Sequence, residues 1–451
     1  MNGPFKQRLW LIAGALAFWV SIAGAQTGAN APELSALPAT PQPGMQQSPS
    51  ASAKALQGSD VSLQQLVQVA LAHNPAIKSA AERFQAQRAV VPQARSLPDP
   101  MISGGWMGKI IPFDTMYGDP SSYRGLTVSQ AFPFPGKLRL RGKIADREAE
   151  AGRWQYEKTE RQVVAEVKAA YYAYFYDTKA IGITEKNKDL LEKLESIAEA
   201  RYRVGNGIQQ DVLRAQIEVS RIDQRLIILR QQEQTARVRL NTLLGRDPES
   251  PLPPPAEVTP ANFVLSLNEL YTLAHGNDPG LERDKRIIEG NQFAVDLAQK
   301  AYEPDFDVAY DYQQRSDMPD MHGVMVSVNI PIFFKSKQRE GVIEASHGLN
   351  AARRDFDDRL TTVDFEIKQQ YLAATTSHKL MNLYSKAIVP QSSLALESSM
   401  SAYEVGKVDF LSMLDNFTYV LDYEVSYYQE LSSYETALAR LEPLVNRDLT
   451  N

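Results

Sequence analysis

Residues 63–75 read LQQLVQVALAHNP, and residues 267–279 read LNELYTLAHGNDP. Leu63, Leu66 and Asn74-Pro75 in the first stretch match Leu267, Leu270 and Asp278-Pro279 in the second, each 204 positions on (267 − 63 = 204). Ala94 and Pro100 keep that spacing to Ala298 and Pro304, so the match runs without a gap. Further on, Phe132-Pro133-Phe134 matches Ile330-Pro331-Ile332 (330 − 132 = 198). Glu166-Val167-Lys168 with Tyr171 matches Glu366-Ile367-Lys368 with Tyr371 (366 − 166 = 200). Tyr202-Arg203-Val204-Gly205 matches Tyr403-Glu404-Val405-Gly406 (403 − 202 = 201). An offset that drifts so little means one series of elements written twice. A solenoid would show many short repeats, so two long copies are a duplicated structural unit.

Each copy opens on a helix with apolar spacing, expected over Leu63 to Ser96 and Leu267 to Tyr302. Two strand-like segments follow: Met101 to Ile111 and Tyr123 to Phe132, then Asp305 to Gln313 and Gly323 to Ile332. Turn residues such as Tyr117-Gly118-Asp119-Pro120 join each pair. A very long helix comes next, Lys137 to Arg203 and Lys337 to Glu404, ended by a Gly turn. A returning helix closes each copy, Gln210 to Leu244 and Phe410 to Leu441. In the first returning helix Val212, Ala215, Val219, Ile222, Leu226, Leu229, Ala236, Leu240 and Leu243 alternate steps of three and four, broken only at Glu233. Leu414, Phe417, Leu421, Tyr428, Leu431 and Leu438 do the same in the second, with Glu424 and Glu435 on the seam. That is coiled-coil spacing. The boundaries expected are 1–25 for a signal peptide, 26–60 for a flexible lead-in, 61–250 for the first repeat, 251–262 for a Pro-rich linker, 263–445 for the second repeat and 446–451 for a tail.

One helix over Lys137 to Arg203 spans roughly 100 Å at ~1.5 Å per residue, more than any compact domain. Such hairpins pack sideways into a rod or a tube wall. The strands favour the tube, being about 9–11 residues long, as a membrane-crossing strand requires. Val324, Val326, Val328 and Ile330 alternate with Met325, Ser327 and Asn329, one face for lipid and one for a lumen. Leu126, Val128 and Gln130 alternate less cleanly with Thr127, Ser129 and Ala131. Trp106, Tyr123, Phe132, Phe134, Phe333 and Phe334 suit interfacial girdles. Four strands cannot close a barrel, and lipid tolerates no open sheet edge. Several chains must share one barrel, and three would supply twelve strands. A soluble sheet with one buried face has the same alternation.

Composition narrows the rest. The 451 residues carry a formal charge of −6, no Cys and five His. There is no basic footprint for nucleic acid, and no disulfide, thiolate metal site, thiol nucleophile or acylated Cys. Lys6 and Arg8, the apolar run Leu9 to Ile22 and the small residues Ala23-Gly24-Ala25 have the order of a cleaved signal peptide. No later stretch is apolar enough for a spanning helix. Motifs of ordinary enzyme chemistry are missing: no phosphate loop, no His-Glu-x-x-His, no nucleophile elbow. His73 and His275 sit at matched helix ends, where His is favourable without catalysis.

The duplication, the strand pairs, the long helices and the Tyr-x-Val-Gly turns resemble the TolC family of outer-membrane efflux proteins, over roughly Val61 to Leu441. The resemblance implies a mainly α fold with transmembrane β: duplicated coiled-coil hairpins and four barrel strands per chain, closed by three chains into an α/β-barrel duct. It implies an outer-membrane location reaching into the periplasm, no cofactor and no enzyme activity. Its partners would be two further copies, a periplasmic adaptor, an inner-membrane pump and outer-membrane lipid. The opening helices and Pro-rich linker would lie at an equatorial belt. Val204, Gly205, Asn206, Val405, Gly406 and Lys407 would form periplasmic tips that meet the adaptor, and a resting aperture would close beside them. Asp211 and Tyr403 match members of the closing network, and Asp415 matches an acidic constriction. A second acidic position is Ser412 here, and the basic partner falls on Val408 with Lys407 beside it. Asp211 also stands in a first helical turn, where an acid is favourable by itself.

Leu97-Pro98-Asp99-Pro100 is similar to heavy-metal efflux members of that family, so the cargo classes in view are metal ions and small toxic compounds. Met318-Pro319-Asp320-Met321-His322 has soft donors, but a polar turn is the plainer account, and no metal site is expected. A soluble periplasmic coiled-coil scaffold, or an adaptor, is the alternative; neither needs a strand pair written twice.

Overall fold

The structure is a computed structural model that describes residues 60–109 and 115–450. The expected signal peptide, nearly all of the 26–60 lead-in and the far end of the first expected strand lie outside the described residues.

The first half contains α1 (Leu63–His73), α2 (Pro75–Arg95), β1 (Met101–Met107), β2 (Tyr123–Phe132), α3 (Lys137–Arg203) and α4 (Gln209–Leu243). The second contains α5 (Leu267–Asn277), α6 (Pro279–Lys300), β3 (Asp305–Gln314), β4 (Met321–Asn329), α7 (Gln338–Leu383), a π segment (Tyr384–Ile388), α8 (Val389–Glu404) and α9 (Phe410–Val445). Two expectations change. Each opening helix is broken in two, at Asn74 and Asp278. Pro75 and Pro279 keep the residue before them out of the helical region and then sit at the first helical position. Asn74 caps α2 by accepting from the Ala76 and Ile77 amides, and Asp278 caps α6 by accepting from Leu281. Ser62 with Gln65 and Ser266 with Glu269 form matching capping boxes one helix earlier. The second long helix is also not continuous: a π segment separates α7 from α8, directly before Pro390, whose missing N–H and ring disrupt the regular ladder.

Helix α3 is the spine. Its first half packs between α2 and α6, with Arg147 bound to Glu289 (3.1 Å) and Arg283 to Gln155 (2.9 Å). Its second half packs between α4 and α9, with Arg239 on Glu166 (2.6 Å) and Lys188 on Asp223 (2.7 Å). So α2 and α6 run up beside α3 to the strands, and only α1 and α5 stay at its middle, with the residue 251–266 segment. Helix α7 packs on α6 and α9. The layer is therefore ordered α2–α3–α6–α7 towards the strands and α4–α3–α9–α8 towards the Gly turns. Ala215, Ile222, Leu226 and Leu229 of the α4 heptads are buried against α3 and α9, as are Leu414, Phe417 and Leu421 of α9.

The Pro-rich stretch is more than a spacer. Val61 pairs with Pro255 in a short parallel bridge. Tyr171 donates to the carbonyls of Val61 (3.3 Å) and Ala256 (3.2 Å), and Tyr174 to that of Pro253 (3.3 Å). Tyr434 donates to the Ala261 carbonyl (2.8 Å), whose own amide donates to Glu435 (2.7 Å). A segment without a helix or sheet of its own thus has its backbone satisfied by side chains from α3 and α9.

Glu435 is one of the seam acids, and it is buried. Burial pushes its carboxyl up to about 7, against the pull of the Ala261 amide and the Tyr172 hydroxyl; Glu442 raises it further and Lys168 lowers it. A folded value above the unfolded one favours the protonated form, so its contribution is complete below the usual glutamate range and is lost as pH rises through about 7. Thermal stability is expected to fall between about pH 5 and pH 8, by up to roughly 3 kcal/mol from this group. Glu435→Gln should flatten that slope in detergent melts; an equal slope in the variant would remove Glu435 as its source.

Candidate functional site

The two Gly turns lie side by side at one end of the layer. Each long helix ends in the same cap: Gly205 (φ 79°) and Gly406 (φ 74°) take the left-handed conformation that favours glycine. The Gly205 and Asn206 amides donate to the carbonyls of Tyr202 (3.0 Å) and Arg201 (2.9 Å). The Gly406 and Lys407 amides donate to those of Tyr403 (3.0 Å) and Ala402 (2.9 Å). The caps point Val204, Ile208, Val405 and Leu411 outward, an exposed apolar cluster at the tips.

Behind them sits a polar knot. Arg201 donates to the Tyr403 carbonyl from one guanidinium nitrogen and to the Asn206 carbonyl (3.3 Å) from another, and its guanidinium covers the Tyr403 ring at 4.6 Å. Tyr403 is buried, edge-on to Phe410. Burial raises the Asp211 carboxyl, Asp409 across the gap raises it further, and Arg214 and Arg201 oppose both. Burial also raises the Tyr403 hydroxyl, with Asp211 adding and Arg201 subtracting. Asp409 caps α9, accepting from the Ser412 amide (2.8 Å) and hydroxyl (2.9 Å). The structure therefore brings Asp211 and Tyr403 into one cluster. Lys407 and Asp415 are exposed and outside it. Sequence reading missed Arg201 and Asp409, both next to turns whose repetition already marked them.

At the other end β1–β2–β3–β4 form one antiparallel sheet. Pairing puts Ile102, Val128, Tyr310 and Val324 in one row, and Phe132, Phe306 and Val328 in another on the same face. The opposite face carries Ser103, Thr127, Asp311 and Gly323 in one row, and Ala131, Asp307 and Ser327 in the next. One face is apolar across four strands and the other polar, as a lipid wall and a water lumen require. β1 is shorter and β4 starts two residues earlier than expected. That start moves Met321 and His322 from the loop into β4, on opposite faces. His322 is bonded to the Tyr310 hydroxyl (2.6 Å), and Asp320 accepts from Tyr312 (2.7 Å). Soft donors that face apart do not converge on one ion. Among the described residues no helix is long and apolar enough to cross a membrane.

Among the described residues β1 pairs only with β2, and β4 only with β3, so the sheet ends on two open edges. The helical layer ends the same way. On α4, exposed Leu213, Ile217, Ile227 and Ile228 lie roughly half a turn from its buried stripe. On α7, exposed Phe365, Leu372 and Leu383 stand opposite buried Val363, Ile367 and Met381. An outer helix with two apolar faces has a second neighbour still to meet.

Residues 66–246 match the sequence profile of the family described as Outer membrane efflux protein. No curated protein matches the chain by sequence. Several solved structures share its fold. The outer-membrane channel OprN aligns at TM-score 0.73 and 19% identity, over 85% of this chain and 89% of that one. CusC, solved for its transmembrane channel formation, aligns at 0.74 and 15%, over 86% and 92%. The outer membrane protein VceC of Vibrio cholerae aligns at 0.72 and 16%, over 86% and 96%. Neither a soluble scaffold nor an adaptor is supported by this set.

Proposed function

We propose that the chain is a TolC-family outer membrane efflux protein, a channel of the outer membrane that reaches into the periplasm, and that three copies close into one duct. The observation that carries this reading is the pair of free edges. β1, α2 and α4 end the layer on one side, and β4, α7 and α8 on the other, along its whole length. Edges that differ join head to tail and close into a ring. Eight strands enclose a space that side chains fill, so two copies would leave no passage; three copies give twelve strands. In this reading residues 61–250 and 263–445 each build about a sixth of the wall.

Substrates then arrive from an inner-membrane pump through a periplasmic adaptor. The adaptor would dock on Val204, Gly205, Asn206, Val405, Gly406 and Lys407, where apolar side chains are already exposed. Asp211 and Tyr403 would hold the resting aperture with Arg201. Asp415, exposed on α9, would meet its two copies at the axis, with Lys407 at the rim. Three carboxylates in a narrow space repel one another and attract cations.

Purified trimers in a planar bilayer are expected to show small, cation-selective conductance blocked by multivalent cations. Asp415→Ala should weaken that block about tenfold or more, since the three removed charges act together. A monomer without channel activity would overturn the duct. Unchanged block in an active Asp415→Ala trimer would remove only Asp415 from its role.

A further inference from the structure

The first half of the chain meets the second along three seams: β2 with β3, α3 with α6, and α3 with α9. The duplicates of those seams would be β4 with β1, α7 with α2, and α7–α8 with α4. The one chain leaves these elements as its free edges. In a ring of copies, each second-half edge therefore meets the first-half edge of the next copy in the way that the first half meets the second inside the chain.

Two lysines carry that relation to single residues. Lys137 is buried and donates to the Glu303 carbonyl (2.9 Å) and to Asp305 Oδ1 (2.7 Å). Lys168 is buried and donates to both oxygens of Glu442 (2.8 and 2.6 Å) and to Thr450 Oγ1 (2.8 Å). Lys168 repeats at Lys368 (368 − 168 = 200). Lys137, the first residue of α3, lies between an offset of 198 before it and one of 200 after it; the first falls on Lys335, the second on Lys337 (337 − 137 = 200), which directly precedes α7 and is taken as the duplicate. Lys337 and Lys368 are both exposed, and neither makes an ion pair among the described residues. Lys368 stands on the free edge, one turn from both Phe365 and Leu372.

The partner positions follow from the same bookkeeping of offsets. Glu303 corresponds to Asp99 (303 − 99 = 204) and Asp305 to Met101 (305 − 101 = 204). Arg440-Leu441-Glu442 and Arg447-Asp448 repeat Arg239-Leu240-Asn241 and Arg246-Asp247 (440 − 239 = 201). That register carries Glu442 to Asn241 and Thr450 to Glu249. At the second corner the carboxylate survives, moved from the Glu442 position to Glu249; at the first the Asp305 carboxylate is lost, and Asp99 keeps an acid at the position whose carbonyl Lys137 meets. Asp99 and Glu249 are exposed without an ion pair among the described residues. Asn241 is buried, its amide nitrogen donating to the Pro248 and Ser250 carbonyls, while its Oδ1 accepts from nothing.

We propose that Lys337 and Lys368 are the intermolecular counterparts of Lys137 and Lys168, binding Asp99 and Glu249 of the next copy of this chain. The proposal rests on the ring of copies read above and assigns the charged contacts that set its register. A flat apolar stripe can slide; a lysine opposite a single carboxylate fixes the height at which two copies join.

Charge reversal tests it. Lys337→Asp, Asp99→Lys, Lys368→Glu and Glu249→Lys should each raise the concentration for half-assembly in detergent by roughly tenfold or more. The paired reversals Asp99→Lys with Lys337→Asp, and Glu249→Lys with Lys368→Glu, should restore most of the loss, read by native mass. The chain has no Cys, so Asp99→Cys with Lys337→Cys gives two thiols per chain, which a short bis-maleimide should join into covalent dimers and trimers. A trimeric wild type whose single reversals assemble normally, and whose thiols do not cross-link, overturns the proposal and leaves the duct standing. A wild type that stays monomeric in detergent and in membranes overturns both.

Discussion

Replacing Lys168 by Met is expected to cost about 3–5 kcal/mol, the usual penalty for removing one partner of a buried ion pair. The pair lies at the middle of α3, where α9 and the C-terminal residues converge. Glu442 accepts from Lys168, from the Leu449 and Thr450 amides (2.8 Å each) and from the Thr450 hydroxyl (2.7 Å). Met fills the volume of the stem but leaves a carboxylate in an apolar belt with only amide and hydroxyl donors. Restoring neutrality separates charge from packing. Adding Glu442→Gln to Lys168→Met keeps an acceptor for the two amides and removes the stranded charge, so the double variant should regain more than half of the loss. Thermal unfolding in detergent measures all three. A single variant within about 1 kcal/mol of wild type would show that water reaches the pair, as it does exposed pairs of that worth.

The architecture was legible because a duplication is an internal control. The long helix, the strand pairs and the Gly turns each appear twice, and the structure keeps them, with Lys137–Arg203 as one helix and its duplicate interrupted by the π segment. The breaks at Asn74 and Asp278 were also written in the chain, since a capping side chain followed by Pro ends one helix and starts another. Contacts between distant segments were not legible. Nothing near Pro253 says that Tyr174 holds it, and nothing near Glu442 says that Lys168 faces it, because each partner comes from another element of the fold. At the tips the difficulty was different. The family pattern placed the basic residue on the second turn, where this chain has Val408 with Lys407 beside it. In the structure the cation that meets Tyr403 comes from the first turn, as Arg201, while Lys407 stays exposed.

In the proposed duct Arg201→Ala is accordingly expected to loosen the closed tips, seen as a several-fold rise in single-channel conductance from intact trimers. Arg201 joins the two tips of one chain through a charge-assisted hydrogen bond to the Tyr403 carbonyl and its guanidinium over the Tyr403 ring, while its bond to the Asn206 carbonyl braces its own turn. Such a bond is worth about 1.5–3 kcal/mol and the stacked ring about 0.5–2 kcal/mol, before discount for the partly open site. Losing even ~1.4 kcal/mol shifts a closed-to-open equilibrium tenfold. Arg203, two residues on, pairs among the described residues only with Glu199 on the exposed helix surface (3.2 Å), so Arg203→Ala should leave conductance as it is. Arg201→Lys keeps the charge but not the planar fork, and should fall between wild type and Ala. The residue matching Arg201 in the second half is Ala402 (402 − 201 = 201), so the clasp is made inside each chain and is not repeated between chains. Opening can then proceed by parting the copies at the tips while each pair of hairpins stays joined, and Arg201→Ala lets the pair itself separate. A spin-label pair at Val204→Cys and Val405→Cys would read that separation directly in a chain with no other thiol. An unchanged distance together with unchanged conductance would leave Arg201 as a helix-end contact and nothing more.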